Sequence, residues 1–147
     1  MDTTRYDVLL VEDREEDAEL TMIALKEHKV ANTIRWVKGG EEALNFLYNR
    51  EEFKERGAIK PPKLVLLDLK MPKMDGMEVL KEIRSNPAFK TLPVVMLTTS
   101  REELDINEAY KLGVNSYIVK PVDFEQFSKS VREIGMYWLM INEPPVI

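Results

Sequence analysis

The sequence predicts an α/β protein, a doubly wound three-layer sandwich built on a parallel sheet. Three observations carry that prediction. Five strand-like runs alternate strictly with five helix-like segments, the pattern that places parallel strands in one sheet with right-handed crossovers. The run Lys63-Leu-Val-Leu-Leu-Asp68 is apolar without interruption until its final carboxylate, as expected of a strand covered on both faces. Helix starts are signposted by capping-box patterns at Asp75-Gly-Met-Glu78, Ser100-Arg-Glu-Glu103 and Asp123-Phe-Glu-Gln126.

In order along the chain, the first strand is Asp7–Val11, and the amphipathic segment Glu15–His28 follows it. The second strand is Thr33–Val37, with a helix over Glu41–Tyr48. The stretch Asn49–Pro62 then exceeds the roughly 2–6 residues usual for such a connection. The third strand is Leu64–Asp68, with a helix over Met77–Arg84. The fourth strand is Val94–Thr98, its helix Glu102–Leu112, and the fifth strand Ser116–Val119. The last helix starts at Phe124. Phe124, Phe127, Val131, Ile134, Trp138 and Ile141 recur at alternating steps of three and four, which predicts one stripe on a helix about 27 Å long. Ile134-Gly-Met-Tyr-Trp-Leu-Met-Ile141 carries no charge, so this end must be buried on more than one side. The expected cover is a second copy of the chain, in a homodimer using the fourth-helix, fifth-strand and fifth-helix face with the Trp138 region. The alternative is that the Asn49–Pro62 insertion folds back over it.

The 147 residues form one domain, long enough to bury about 70% of its unfolded surface. There is no cysteine, which excludes disulfides and thiolate metal sites. The N-terminus lacks a signal peptide's apolar core, and no apolar run approaches the ~20 residues of a membrane helix. A net charge of −5 and a pI near 5.1, with basic residues scattered among acids, argue against nucleic acid as partner. A cytoplasmic domain without membrane or nucleic-acid contacts is the expectation.

The chemistry lies at the strand ends, where open α/β sheets hold their ligands. Asp68 ends the central strand, Glu12 and Asp13 follow the first, Thr98 ends the fourth, and Lys120-Pro121 follows the fifth. If the first and third strands are neighbours, as in the order 2-1-3-4-5, the three acids converge. Mg²⁺ is commonly held by one or two carboxylates together with a phosphate. A carboxylate beside a cation stays ionised and can attack phosphorus to give an acyl phosphate. The three oxygens of the transferring group then need positive partners: the metal, Lys120, and Thr98 with the amide after Asp68. Singly each residue is weak, since an acid pair after a strand is often a solvated helix start. Their conjunction at four strand ends decides.

The set Glu12-Asp13, Asp68 with Met71-Pro72 and Asp75-Gly76, Thr98, and Lys120-Pro121 resembles the receiver domain of two-component response regulators, from about Tyr6 to Val131. The resemblance implies a flavodoxin-like (βα)5 fold with strand order 2-1-3-4-5, as one domain over 1–147 with a core of about 6–131 and a C-terminal helical extension of about 132–147. It implies that Asp68 is the phosphoacceptor and that Glu12, Asp13 and Asp68 hold Mg²⁺ with the backbone carbonyl of Lys70. Thr98 is then the switch hydroxyl, Tyr117 the switch aromatic and Lys120 the phosphate-contacting lysine, with a cis Lys120–Pro121 bond. Gly39-Gly40-Glu-Glu-Ala-Leu44 resembles the family's second-helix start. The implied function is that of a stand-alone regulator, not an enzyme beyond slow autodephosphorylation, which takes its phosphoryl group from a sensor histidine kinase and signals through protein contacts.

More narrowly, the stretch before Pro61-Pro62, and Tyr137-Trp138-Leu139 followed by Pro144-Pro145, are similar to single-domain regulators that partner phytochrome-type kinases. Two other readings compete. A haloacid-dehalogenase-type Mg²⁺-dependent phosphohydrolase would want an aspartate two residues after the nucleophile, where this chain has Lys70. A degenerate receiver that serves only for docking would not need the intact acid set. His28, the single histidine, reads as a helix-end residue favoured by the dipole. Of the eight methionines, which read as core filler, Met71 and Met74 lie in the loop after Asp68 as candidates to line a partner groove.

Overall fold

The computed structural model describes residues 5–27, 29–56 and 61–145; His28 lies outside them. Among the described residues, strands β1 (Val8–Val11), β2 (Ile34–Val37), β3 (Leu64–Leu67), β4 (Val94–Thr98) and β5 (Ser116–Val119) alternate with helices α1 (Glu15–Glu27), α2 (Gly40–Leu47), α3 (Gly76–Ser85), α4 (Glu103–Lys111) and α5 (Phe124–Gly135). All strand pairs are parallel, in the order β2-β1-β3-β4-β5. This is the doubly wound, flavodoxin-like sandwich that the sequence predicts.

Why these runs form the centre follows from their composition. Every residue of β1, β3 and β4 is buried, whereas the edge strands β2 and β5 are mostly half-exposed. Alternate residues feed two separate cores. Leu9, Val11, Val65, Leu67, Val94 and Met96 meet α2, α3 and Ala109 of α4 on one face. Val8, Leu10, Leu64, Leu66, Val95 and Leu97 meet α1 and α5 on the other. Each fully buried Leu or Val adds roughly 1.5–3 kcal/mol, so the central strands fix the frame to which the site is attached.

Two of the three predicted caps form. Asp75 accepts from the Glu78 N–H at 3.0 Å, and Asp123 from the Gln126 N–H at 3.3 Å. The third differs: α4 starts at Glu103 behind Glu102, which makes no side-chain cap bond. Ser100 Oγ instead accepts from the Glu102 N–H at 3.3 Å, just ahead of the helix, and donates to Asp105 Oδ2 at 2.6 Å.

The C-terminal stripe is shorter than the sequence predicts. After Gly135 the helix rewinds into a π-helical turn, Met136–Ile141, closed by the Asn142 N–H on the Tyr137 carbonyl at 2.6 Å. Wider winding breaks the three-and-four spacing. Phe127, Val131 and Ile134 stay buried and Trp138 half-buried, while Phe124 and Ile141 are 56% and 65% exposed. Gly135 allows this docking, because a Cβ there would stand 2.6 Å from Val30 and 2.7 Å from Leu25. Among the described residues, the insertion does not cover the tail. Its described part, a 3₁₀ turn over Glu51–Arg56, sends Phe53 against Phe46 at 5.2 Å between ring centroids, in the opposite core.

Candidate functional site

The register of β1, β3 and β4 brings their C-terminal ends to one rim: Val11 pairs with Leu67, and Leu67 with Met96. Glu12 and Asp68 therefore leave neighbouring strands side by side. The Asp68 N–H donates to the Val11 carbonyl at 3.0 Å, and the Glu12 N–H to the Val37 carbonyl at 3.1 Å. From β2, the Trp36 indole N–H donates to the Glu12 carbonyl at 2.8 Å. The backbone of both acids is thus pinned before any ligand arrives.

Glu12, Asp13 and Asp68 each offer a carboxylate oxygen, and all three atoms lie within 4.8 Å of one another. Glu12 and Asp68 are buried, while Asp13 faces solvent. The loop after Asp68 is closed by the Gly76 N–H on the Leu69 carbonyl at 2.8 Å. Only glycine suits that position, since a Cβ would collide with the Asp68 carbonyl oxygen and sit 2.9 Å from the Leu69 Cα.

Lys120, following β5, reaches into this cluster with its side chain 5% exposed. Its Nζ lies 2.7 Å from Glu12 Oε1, 2.9 Å from Asp17 Oδ2 and 3.8 Å from Asp68 Oδ2. Burial, and next the charge of Asp68, push the Glu12 carboxyl up from 4.5 to about 7, with Lys120 and the Arg14 N–H opposing. Burial would depress the Lys120 ammonium, but Asp17, Asp68 and Glu12 together hold it above its ordinary value. Among the described residues no peptide bond is cis. Lys120–Pro121 is therefore trans, the isomer X–Pro bonds prefer by about 0.5–1 kcal/mol, and not the cis bond the resemblance implies.

Thr98 is fully buried at the end of β4, its Oγ1 3.5 Å from the Ser100 N–H. Tyr117 on β5 donates its hydroxyl to the Ser100 carbonyl at 3.1 Å, and burial raises its pKa. Lys70, two residues past Asp68, is exposed and pairs its Nζ with Asp105 Oδ2 at 3.5 Å.

The structure thus brings together Glu12, Asp13, Asp68 and Lys120, with Thr98 and Tyr117 joined to each other through Ser100. Sequence reasoning missed Asp17 and Asp105. Asp17 gave no signal beyond that of an acid in the first turn of a helix. Asp105 had none.

Three hard oxygen donors facing one ammonium leave negative charge uncompensated, and such a donor set suits Mg²⁺ or Mn²⁺. Acids at the ends of β1 and β3, a hydroxyl after β4 and a lysine after β5, on a 2-1-3-4-5 sheet, define a receiver, the phosphorylation-switched class of two-component signalling. The chain belongs to the response regulator receiver domain family, matched over residues 8–132.

Among its relatives, a probable methanogenesis regulatory protein, FilR2 of Methanothrix harundinacea, is 41% identical over 94% of this chain and 86% of its own. Response regulator Rcp1 of Synechocystis sp. is 39% identical over 90% of this chain and 88% of its own. The crystal structure of its Mn²⁺-bound form superposes with a TM-score of 0.87 at 38% identity, covering 96% and 99% of the two chains. The phosphorylated cyanobacterial phytochrome response regulator RcpA gives a TM-score of 0.88 at 39% identity, covering 97% and 100%. No helix among the described residues is long and apolar enough to cross a membrane.

Proposed function

We propose that Asp68 accepts a phosphoryl group from the phosphohistidine of a sensor histidine kinase and thereby switches the α4–β5–α5 face. The carrying observation is the buried Asp68 carboxylate, within 4.8 Å of Glu12 and Asp13 oxygens and 3.8 Å from Lys120. Asp68 Oδ attacks phosphorus in line, and the P–N bond breaks with its electron pair going to the imidazole. Glu12, Asp13, Asp68 and the Lys70 carbonyl are the groups to hold Mg²⁺, which when bound neutralises carboxylate and phosphoryl charge. Lys120 leaves Glu12 and Asp17 for a phosphoryl oxygen. Thr98 and the amide after Asp68 take another, and the movement of Thr98 draws the Ser100 loop, on which Tyr117 rests. A local charge event so biases a two-state element.

Lys70 stands where a dehalogenase-type phosphatase needs an acid, which favours an acceptor over a turnover enzyme. Likeness to RcpA favours a phytochrome-type kinase. The second copy of a homodimer fits the uncharged tail, because Tyr137, Met140 and Ile141 are 48–65% exposed beside a groove lined by Ile118, Ile134 and Trp138. The cytoplasm is the compartment this partnership requires. In acetyl phosphate with Mg²⁺, intact mass should rise by one phosphoryl group, and Asp68→Asn should abolish the increment. Persistent labelling of Asp68→Asn at another residue overturns the assignment.

A further inference from the structure

Asp105, in the first turn of α4, gathers two loops on one carboxylate oxygen. Its Oδ2 accepts from Ser100 Oγ at 2.6 Å, after β4, and lies 3.5 Å from Lys70 Nζ, after β3. Ser100 is also the joint between Thr98 and Tyr117. Its N–H faces Thr98 Oγ1 at 3.5 Å, and its carbonyl accepts the Tyr117 hydroxyl at 3.1 Å. Lys70, two residues after Asp68, and Ser100, two residues after Thr98, are therefore both tied to a residue outside the acid cluster.

We infer that Asp105 is a positioning residue, a latch that holds Lys70 and Ser100 to α4 until a phosphoryl charge on Asp68 competes for Lys70. This rests on the reading of Asp68 as acceptor. Converting the carboxylate to an acyl phosphate adds about one negative charge two residues before Lys70 in the same loop. Lys70 is 63% exposed at its side chain and Asp105 19%, so the ammonium can swing between the two anions without unpacking a core. Movement of Thr98 toward the phosphoryl group pulls on the Ser100 N–H and works against the Ser100–Asp105 bond. Both halves of the latch thus oppose the phosphorylated arrangement. By linkage, whatever phosphorylation costs the latch, the latch costs phosphoryl affinity.

The test is an equilibrium titration of the full chain with beryllofluoride in Mg²⁺, read by amide resonances. Asp105→Asn keeps an oxygen for Ser100 but removes the charge that holds Lys70. It should bind the phosphoryl mimic about two- to fivefold more tightly, the range open to an exposed ion pair, with the gain shrinking in high salt. In a Lys70→Met background the same substitution should change nothing. In the parent, the Ser100 and Asp105 amide signals should shift with the same midpoint as occupancy of Asp68, a readout that needs no variant to fold. Equal affinity of parent and Asp105→Asn, or a Ser100–Asp105 segment unmoved at saturation, overturns the latch while leaving Asp68 as acceptor. A parent that does not bind beryllofluoride overturns both.

Discussion

Replacing Glu12 by glutamine should stabilise the metal-free protein at pH 8 and leave it nearly unchanged at pH 4. Glu12 is 3% exposed, and burial followed by the charge of Asp68 lifts its carboxyl from 4.5 to about 7. The folded state therefore holds the proton more tightly than the unfolded state does. The stability this gives is fully present below pH 4.5 and is lost as pH rises through about 7. At about 1.4 kcal/mol per tenfold step, ionising Glu12 in the folded protein costs on the order of 3 kcal/mol at pH 8. That is a large share of the ~5–15 kcal/mol that holds a domain together. Glutamine mimics the neutral carboxyl, and its amide oxygen can still accept from Lys120 Nζ, now 2.7 Å from Glu12 Oε1. A gain of about 1–3 kcal/mol is expected. The assay is urea denaturation of parent and variant in chelator at pH 4, 6 and 8. Saturating Mg²⁺ should stabilise the parent most at pH 8 and hardly at pH 4, where protonated carboxyls are poor ligands. Stability of the metal-free parent that is flat from pH 4.5 to 8, or a variant weaker than the parent at pH 8, refutes the reasoning.

Gly76→Ala should cost about 1–3 kcal/mol, as overpacking does, and slow acetyl phosphate labelling of Asp68, because the new Cβ meets the Asp68 carbonyl; parent-like values in both urea melts and labelling would count against the tight loop. Thr98→Ala should still be labelled on Asp68, but the Tyr117 ring resonances should no longer respond; a full response would remove Thr98 from the switch. Trp138→Glu places a charge in the half-buried groove wall and should give monomers in sedimentation; parent-like sedimentation would reject the dimer.

The central strands were legible because burial on both faces leaves no polar residue in Val8–Val11, Leu64–Leu67 or Val94–Leu97, and few other folds tolerate that. Convergence of Glu12, Asp13 and Asp68 was legible for the same reason, since strand ends and strand order place them. Ser100 misled because a capping-box pattern reports only that a hydroxyl is available. It does not say that the Oγ will hold the Glu102 N–H and Asp105 together, with the helix starting only at Glu103. The tail misled because a repeat of three and four assumes one winding, and Met136–Ile141 winds more widely. Asp17 was hidden because its partner, Lys120, comes from the far end of the sequence.

That last separation bears on how the chain is made. The hydrogen bond from Lys120 to Glu12 spans 108 residues, while β1 to β4 are complete by Thr98. During synthesis the three carboxylates of residues 12, 13 and 68 are available for pairing well before the lysine that balances them. Closure of the sheet centre is then opposed by its own acids, and such non-local pairing is slow even without that repulsion. A divalent cation can stand in for Lys120 in the interval. If Mg²⁺ fills that role, refolding of the finished protein should be faster with Mg²⁺ than with chelator.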